Sequence, residues 1–233
     1  MTKILLDEKL DIFLLITQNI SMNNNKLNLV YTLEGKIYIN LTNLCSNKCV
    51  FCIRNNVNEI EGKNLWLENE NFEAADVIEQ FEEVINENPY SNEVVYCGFG
   101  EPLLKPEILF QTAKYIKEYY PEIKIRINTN GQGNMIAKRD LIPELKDFID
   151  AISVSLNAEN KEKYNKISIP ADKDNAYQAV KDFIKECSQS GIETTATVVS
   201  GFENCDINIE ECEKICNSLG AKFRIREWLP NGY

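Results

Sequence analysis

Three cysteines near the start of the chain have the types and spacing that could do chemistry. Cys45, Cys49 and Cys52 fall within eight residues, and Phe51 directly precedes the last of them. Three thiolates at this spacing can hold three corners of a cuboidal iron–sulfur cluster, which usually takes four cysteine ligands. The motif itself supplies no fourth ligand, so one iron would stay open to a substrate or cofactor. An open iron is useless to an electron-transfer protein and useful to a catalyst, so the motif indicates a catalytic iron–sulfur centre.

The other cysteines leave two alternatives open. Cys97 could complete a closed Cys₄ zinc site with the triplet, which would make the metal structural. A second cluster could use Cys205, Cys212 and Cys216. However, Ile209, Cys212, Ile215, Cys216 and Leu219 repeat at helical spacing, which is typical of small apolar side chains in a core. Cys97 is likewise interpreted as a small interior residue.

The composition excludes several classes of function. The chain has 233 residues, no histidine, eight cysteines and a net charge of −11. Without histidine there is no Ser-His-Asp triad and no histidine-ligated zinc. The acidic charge argues against binding to nucleic acid or to an anionic membrane. Cysteines without a secretory segment indicate a reducing, cytoplasmic environment.

Residues 1–29 are predicted to be a helical extension and linker that precede a core of residues 30–233. The apolar residues of this segment are interrupted by Asp7, Glu8, Lys9 and Asp11, so it is too charged to span a membrane. We expect a helix that packs against the core. The alternative is that translation begins at Met22 and that the preceding residues are not part of the native protein.

From residue 36 onward, strand-like and helical segments alternate. The predicted strands are 36–42, 93–98, 122–128, 150–157, 192–199 and 221–228. Alternation with short connections predicts an α/β fold, with a parallel sheet covered by helices. Six β/α units make a partial (β/α)6 barrel of the TIM type. We interpret Lys161–Pro170 as a solvated loop, with a mobile lid as the alternative.

Several predicted strands have one aliphatic face and one polar face. Ile123, Ile125 and Ile127, for example, alternate with polar side chains. We expect the aliphatic faces to lie under the helices and the polar faces to line a wet interior, because buried polar groups need partners. Interior cations also need anions. Arg126, Arg224 and Arg226 are therefore expected either to pair with carboxylates such as Glu101 or Glu193, or to bind an anionic substrate or cofactor.

Sites in parallel barrels form at the carboxyl ends of the strands, and four motif-like segments are predicted to lie there. The cysteine loop follows the first predicted strand, and Gly98–Pro102 follows the second. Asn128–Gly131 follows the third, and the fourth ends with Ser155 and Asn157. Four such segments at successive strand ends indicate one composite site.

Together these motifs resemble the core of the radical S-adenosylmethionine (SAM) enzymes, over about residues 30–228. Four segments resemble the subgroup labelled TatD-associated radical SAM proteins: Tyr96–Leu104, Ile127–Asn134, Ile152–Asn160 and Phe223–Trp228. The resemblance implies that the three cysteines bind a [4Fe-4S] cluster and that SAM binds its open iron. It implies that Phe51 borders the adenine, and that Phe99, Gly100 and Glu101 take the place of a Gly-Gly-Glu motif at the methionyl amino group. Thr129, Ser155 and Asn157 would contact the methionyl or ribose portion of SAM.

The resemblance also implies the reaction. A reduced cluster would cleave SAM to a 5′-deoxyadenosyl radical, which abstracts hydrogen from an unidentified small-molecule or protein substrate. The expected electron donor is a flavodoxin or a ferredoxin. The alternative function is a non-catalytic metal-binding or redox-sensing protein on the same scaffold.

Overall fold

The computed structural model describes residues 27–203 and 205–229. Its strands, in chain order, are β1 (Val30–Leu33), β2 (Lys36–Ile39), β3 (Glu59–Ile60), β4 (Lys63–Asn64), β5 (Glu93–Tyr96), β6 (Lys124–Thr129), β7 (Ala151–Ser155), β8 (Glu193–Ser200) and β9 (Lys222–Glu227). Its helices are α1 (Ala74–Glu87), α2 (Pro106–Tyr119), α3 (Gly133–Ala137), α4 (Ile142–Phe148), α5 (Lys161–Ile167), α6 (Ala176–Ser190) and α7 (Ile209–Ser218). Short 3₁₀ helices cover Ile53–Asn55 and Pro102–Leu104.

One seven-stranded sheet organises the fold, in the order β1-β2-β5-β6-β7-β8-β9. Every neighbouring pair from β2 to β9 is parallel, and helices lie between successive parallel strands. The predicted α/β partial barrel with six parallel strands is therefore confirmed. β3 and β4 form a separate two-stranded hairpin within the connection from β2 to α1.

The sequence prediction missed β1, which pairs antiparallel with β2. The two strands are joined by Glu34 and Gly35, both with positive φ, at 50° and 74°. Two positive-φ residues are what the tight two-residue turn of a β-hairpin requires, and glycine adopts that region without strain. The pair Glu34-Gly35 between two apolar runs was the sequence signal for this hairpin.

The core lies between the sheet and its helices. The alternating aliphatic residues of the central strands, such as Ile125 and Ile127, are fully buried there, as predicted. β9 differs, because Ile225 on its aliphatic face is 50% exposed. β9 is an edge strand, so it has a strand neighbour on one side alone and its outer face is only partly covered.

The predicted N-terminal helix lies outside the described residues. The residues that follow it are in place: Leu29 is buried, and its backbone N–H donates to the side chain of Gln80 on α1. Within residues 27–203 and 205–229, no helix has the length and apolar character needed to cross a membrane.

The interpretation of Lys161–Pro170 as a loop or lid was wrong. Its first seven residues form helix α5. The preceding Asn160 caps this helix, because its side chain accepts a hydrogen bond from the Lys163 N–H. Tyr164 and Ile167 on this helix are buried. The remaining residues pair with the cysteine loop, through an antiparallel bridge between Asn47 and Pro170. This segment is therefore part of the structural support of the site.

Candidate active site

The three cysteines lie on a loop at the carboxyl end of β2, and backbone hydrogen bonds attach this loop to two other segments. On one side, the N–H groups of Lys48 and Val50 donate to the carbonyls of Ser168 (3.1 Å) and Ile167 (2.9 Å). On the other side, the N–H of Glu101 donates to the carbonyl of Leu44 at 2.8 Å. A loop without regular structure is thus fixed on both sides of its first cysteine.

A buried cluster of three side chains supports the same loop from beneath. Asn47 lies between Cys45 and Cys49, and its Nδ2 donates to the hydroxyl of Tyr164 at 3.1 Å. Gln132 Nε2 donates to Asn47 Oδ1 at 2.7 Å and to the Tyr164 hydroxyl at 3.0 Å. All three side chains are almost completely buried. We refer to Asn47, Gln132 and Tyr164 as the amide–tyrosine cluster.

The thiols themselves lie in an environment that disfavours free thiolates. Burial raises the pKa of Cys49 to about 12, and the neighbouring Cys52 and Cys45 raise it further in the same direction. Burial, with a contribution from Glu101, also raises the pKa of Cys45. Because burial and nearby negative charges oppose ionisation, the thiolates of Cys45 and Cys49 require a compensating positive charge.

The segment after β5 lies directly against the turn that leads to the cysteines. A Cβ added at Gly100 would come within 2.2 Å of the Thr42 carbonyl oxygen and 2.5 Å of that of Leu44. Glycine is therefore required for close approach to the protein's own backbone. Phe99 is buried with its ring 5.2 Å from that of Trp66, and its carbonyl accepts a hydrogen bond from Arg54 at 3.1 Å.

Glu101 is buried and accepts three hydrogen bonds. One carboxylate oxygen accepts from the N–H of Leu103 (3.1 Å) and the hydroxyl of Thr129 (2.7 Å), and the other accepts from the N–H of Asn130 (2.7 Å). Burial raises the pKa of Glu101 to about 7 against the opposing effect of these donors. The carboxylate joins the ends of β5 and β6.

The other predicted SAM contacts lie at the same edge of the sheet. Thr129 ends β6, Ser155 ends β7 and is half-buried, and Asn157 follows two residues later and is buried. Asn157 has φ of 62°, a region that asparagine tolerates better than most residues. Its Nδ2 donates to Ser168 at 3.1 Å, while its buried Oδ1 has no partner among the described residues. That oxygen is a buried acceptor without a partner in the described part of the chain, and Asn157 is not among the residues that line the cavity.

A cavity of about 440 Å³ opens from the cysteine loop into the barrel interior. Cys49, Phe51 and Cys52 form one end of its wall, and Arg224 and Arg226 on β9 form another part. Between them the lining includes Tyr31, Tyr38, Cys97, Gly98, Phe99 and Asn128. An interior cavity is therefore present, and it connects the cysteine loop with two of the predicted cations.

The three arginines predicted to face the interior differ in burial and in partners. Arg126 is partly buried, whereas Arg224 and Arg226 line the cavity but are exposed. Arg126 is paired with Glu93 (2.8 Å) and donates to Asn128 (2.7 Å), so it does pair with a protein carboxylate, as one of the two expectations had it, but the carboxylate is neither Glu101 nor Glu193. Glu193 pairs with Lys222 instead. The pairing of Arg126 with Glu93 follows from the register of β5 and β6. Glu93 lies beside Lys124, and Arg126 is two residues further along β6, so its side chain points to the same face of the sheet as that of Lys124. Arg224 Nη2 lies 3.4 Å from Ser153 Oγ.

The remaining cysteines behave largely as core residues. Cys187, Cys212 and Cys216 are completely buried in the apolar core, in line with their helical spacing. Cys205 is half-buried, and its thiol lies 3.8 Å from the Val199 carbonyl oxygen. Cys97 lines the cavity, and burial raises the pKa of its thiol.

Sequence reasoning missed the residues that hold the loop in place. Asn130 donates to Ser46 Oγ at 2.8 Å and lies 3.7 Å from Cys45 Sγ. Its position in the Asn-Thr-Asn-Gly turn was the available signal. Tyr164 and Gln132 gave no such signal, because their role depends on elements that meet only in the folded chain.

Comparisons with known proteins agree with this geometry. A family model described as the radical SAM superfamily matches residues 39–216. The probable GTP 3′,8-cyclase of Methanococcus maripaludis is 28% identical over 198 residues, which are 82% of this chain and 58% of the relative. The chain thus spans less than two thirds of the length of the curated relatives it matches.

Solved structures share the fold at low sequence identity. Streptococcus suis SuiB bound to S-adenosylmethionine aligns with a TM-score of 0.61 and 17% identity, over 82% of this chain and 40% of that chain. A radical SAM methyltransferase from Sphaerobacter thermophilus aligns with a TM-score of 0.53 and 14% identity, over 85% of this chain and 68% of that chain. Since the family model covers most of the sequence, including the cysteine motif, the chain belongs to the radical SAM superfamily.

Proposed function

We propose that this protein is a radical SAM enzyme in which Cys45, Cys49 and Cys52 hold a [4Fe-4S] cluster. One observation carries the proposal: the cysteine loop is fixed at the strand ends so that Cys49 and Cys52 face the interior cavity. An open iron at that position would be reached from the cavity, where SAM and substrate have room. When bound, the reduced cluster supplies the electron that cleaves SAM to a 5′-deoxyadenosyl radical, which abstracts hydrogen from the substrate.

The donor set fits a cluster better than a single metal ion. Among residues 27–203 and 205–229, no three Cys, Asp or Glu side chains surround a single point that one ion could occupy. A zinc site needs its ligands around one ion, whereas a cuboidal cluster binds each cysteine at a different iron.

The surrounding residues would bind and orient SAM. Phe51, whose ring lies 5.1 Å from that of Phe202, would border the adenine. The carbonyls of Phe99–Glu101 and the carboxylate of Glu101 would meet the methionyl amino group. With three of its roughly four acceptor positions used, the Glu101 carboxylate retains one for a ligand. Thr129, Ser155 and Asn157 would contact the methionyl or ribose portion, with Asn157 Oδ1 as the unsatisfied acceptor.

Two finer assignments complete the proposal. From the resemblance of the four segments named above, we assign the chain to the TatD-associated radical SAM proteins, a label that defines no substrate. A flavodoxin or ferredoxin would supply the electron, because the chemistry needs a one-electron reductant. The substrate would be a small molecule or a protein that reaches the cavity.

The test is anaerobic reconstitution with iron and sulfide, followed by an assay for 5′-deoxyadenosine with SAM and dithionite. We expect about four irons per chain in the wild type and formation of 5′-deoxyadenosine. Cys49→Ala should lose the cluster absorption and the product. Cys205→Ala is the matched control, because its thiol lies outside the loop, and it should retain both.

The same assay separates the alternative function. A reduced, cluster-loaded wild type that binds SAM and never releases 5′-deoxyadenosine would favour a non-catalytic metal-binding or redox-sensing protein. Zinc in place of iron, or iron retained in Cys49→Ala, would contradict the proposed ligand set.

A further inference from the structure

We propose that the cavity binds its substrate through an oxyanion, a carboxylate or a phosphate, held by Arg226 with Arg224 beside it. The inference rests on the proposed function, because it assigns the far side of the cavity to the substrate and the cysteine side to the cofactors. It also selects a small anionic molecule over a protein as the substrate.

The charge of the cavity differs from that of the molecule. The chain carries a net charge of −11. Apart from the thiols, the charged residues that line the cavity, among those that the structure describes, are Arg224, Arg226 and Glu227. The wall on β9 therefore has a net positive charge inside an acidic protein, and such a local field attracts an anion.

Arg226 is the cation available for that anion. Arg126 is paired with Glu93, and the surface Arg139 is paired with Glu107 and Glu144. Within the described part of the chain, no carboxylate forms an ion pair with Arg226. A guanidinium group that lines a cavity without a carboxylate partner is suited to bind the oxygens of a carboxylate or phosphate in bidentate geometry.

Arg224 lies on the same face of β9, since side chains two residues apart in a strand point the same way. Their Cα atoms are about 6.6 Å apart by strand geometry, so both guanidinium groups can reach one phosphate or carboxylate. The hydrogen bond from Arg224 to Ser153 on β7 orients the arginine side chain. The two arginines can thus bind one anion from two sides.

The size and remaining lining of the cavity favour a small molecule. Its volume of about 440 Å³ falls within the range of roughly 300–1,000 Å³ that is usual for small-ligand sites. Tyr31 and Tyr38 stack with ring centroids 5.3 Å apart and both line the cavity. A substrate anchored at β9 would lie beside this aromatic wall and extend toward Cys49 and Cys52.

The experiment measures anion binding by calorimetry at low ionic strength, on cluster-loaded protein saturated with SAM. The probes are inorganic pyrophosphate and succinate, which distinguish a phosphate from a carboxylate. The variants are Arg226→Gln and Arg226→Lys. Arg139→Gln is the control, because it removes an equal charge from an exposed residue that does not line the cavity.

We expect one of the two probes to bind the wild type. Arg226→Gln should raise its Kd by about tenfold or more, because a charge-assisted hydrogen bond is lost. Arg226→Lys should give an intermediate Kd, since it keeps the charge and loses the bidentate geometry. Arg139→Gln should bind like the wild type. If neither probe binds, or if Arg226→Gln and Arg139→Gln weaken binding equally, the inference is wrong.

Failure of the inference and failure of the proposed function give different results in the wild type. Formation of 5′-deoxyadenosine without anion binding rejects the oxyanion site and keeps the radical chemistry. Anion binding that depends on Arg226, in protein that never forms 5′-deoxyadenosine, keeps the oxyanion site and rejects the radical chemistry.

Discussion

Glu101 is a carboxylate whose burial and hydrogen bonds act in opposite directions. Three donors favour its charged form, whereas removal from water favours its neutral form, and burial dominates because the pKa is raised to about 7. The Thr129 hydroxyl can turn from donor to acceptor, so it can accommodate either form. In the cluster-free protein, Glu101 therefore changes its charge near neutral pH.

This raised pKa predicts how Glu101 contributes to stability. The folded state binds a proton more tightly than the unfolded state, so the contribution is full below the unfolded pKa of about 4.5. It is lost as the pH rises through about 7. Relative to Glu101→Gln, the free energy of unfolding of the cluster-free wild type should fall by on the order of 3 kcal/mol over this range. Urea unfolding at several pH values, followed by circular dichroism, measures the difference.

Glu101→Gln should also show an offset that does not depend on pH, because the amide replaces an acceptor oxygen with a donor. The difference between the two proteins therefore matters only in its pH dependence. A difference that stays constant from pH 4.5 to 8 would mean that Glu101 keeps its ordinary pKa despite its burial.

At the scale of residues, the sequence predicted where the site residues lie in the fold better than it predicted which side chains they contact. The motifs located Glu101, Thr129 and the three cysteines at strand ends, because the carboxyl edge of a parallel sheet is a general site. Which of them contact each other depends on register and loop path. Arg126 illustrates the limit, since its partner Glu93 belongs to a strand far away in the sequence.

At the scale of elements, helix α5 and the residues after it act as a support for the cysteine loop. The amide–tyrosine cluster joins this helix to Gln132, just before α3, and to Asn47 of the loop. Because all three side chains are buried, a lost hydrogen bond cannot be replaced readily by water. The arrangement should limit how far the loop can move when iron leaves.

Tyr164→Phe tests this support. The hydroxyl accepts from both Asn47 and Gln132, so its removal leaves two buried amide groups less well satisfied, at a cost of about 1–3 kcal/mol. We expect the variant to release cluster iron to a chelator several times faster than the wild type, because the loop opens more often. The measurement is the rate of iron capture by a coloured chelator under anaerobic conditions.

Tyr177→Phe is the matched control. Tyr177 packs against Tyr164 with ring centroids 5.4 Å apart, and its hydroxyl donates to the Ala158 carbonyl rather than to the cysteine loop. It removes one hydroxyl from the same neighbourhood. Equal rates of iron release from the two variants would show that the amide–tyrosine cluster does not restrain the loop.

The alternation of apolar and polar residues predicted six parallel strands, since a period of two and a period of 3.6 are distinct over such lengths. It missed β1, a four-residue edge strand whose turn was the stronger signal. The same alternation also gave no sign of the helix within Lys161–Pro170. Seven residues with two buried side chains are too few for helical periodicity to stand out, and the pairing of the segment with residues 47–50 is a long-range contact.

At the scale of the whole molecule, the partial barrel has a covered side and an open side. The central strands β5, β6 and β7 have neighbours on both sides and aliphatic faces buried under helices. β9 is an edge strand that carries the two cavity arginines on one face and the half-exposed Ile225 on the other. The stability of the fold should therefore come from the centre, while β9 presents side chains to the cavity.

A pair of identical substitutions tests this division. Ile127→Ala, at a fully buried position on β6, should lower the free energy of unfolding by about 2–5 kcal/mol, because it leaves a cavity in the core. Ile225→Ala, at a 50% exposed position on β9, should lower it by less than about 1 kcal/mol. Urea unfolding of the two variants beside the wild type gives both values. Comparable losses of unfolding free energy in the two variants would contradict this division. They would mean that the outer face of β9, which is exposed among the described residues, is buried in the folded protein.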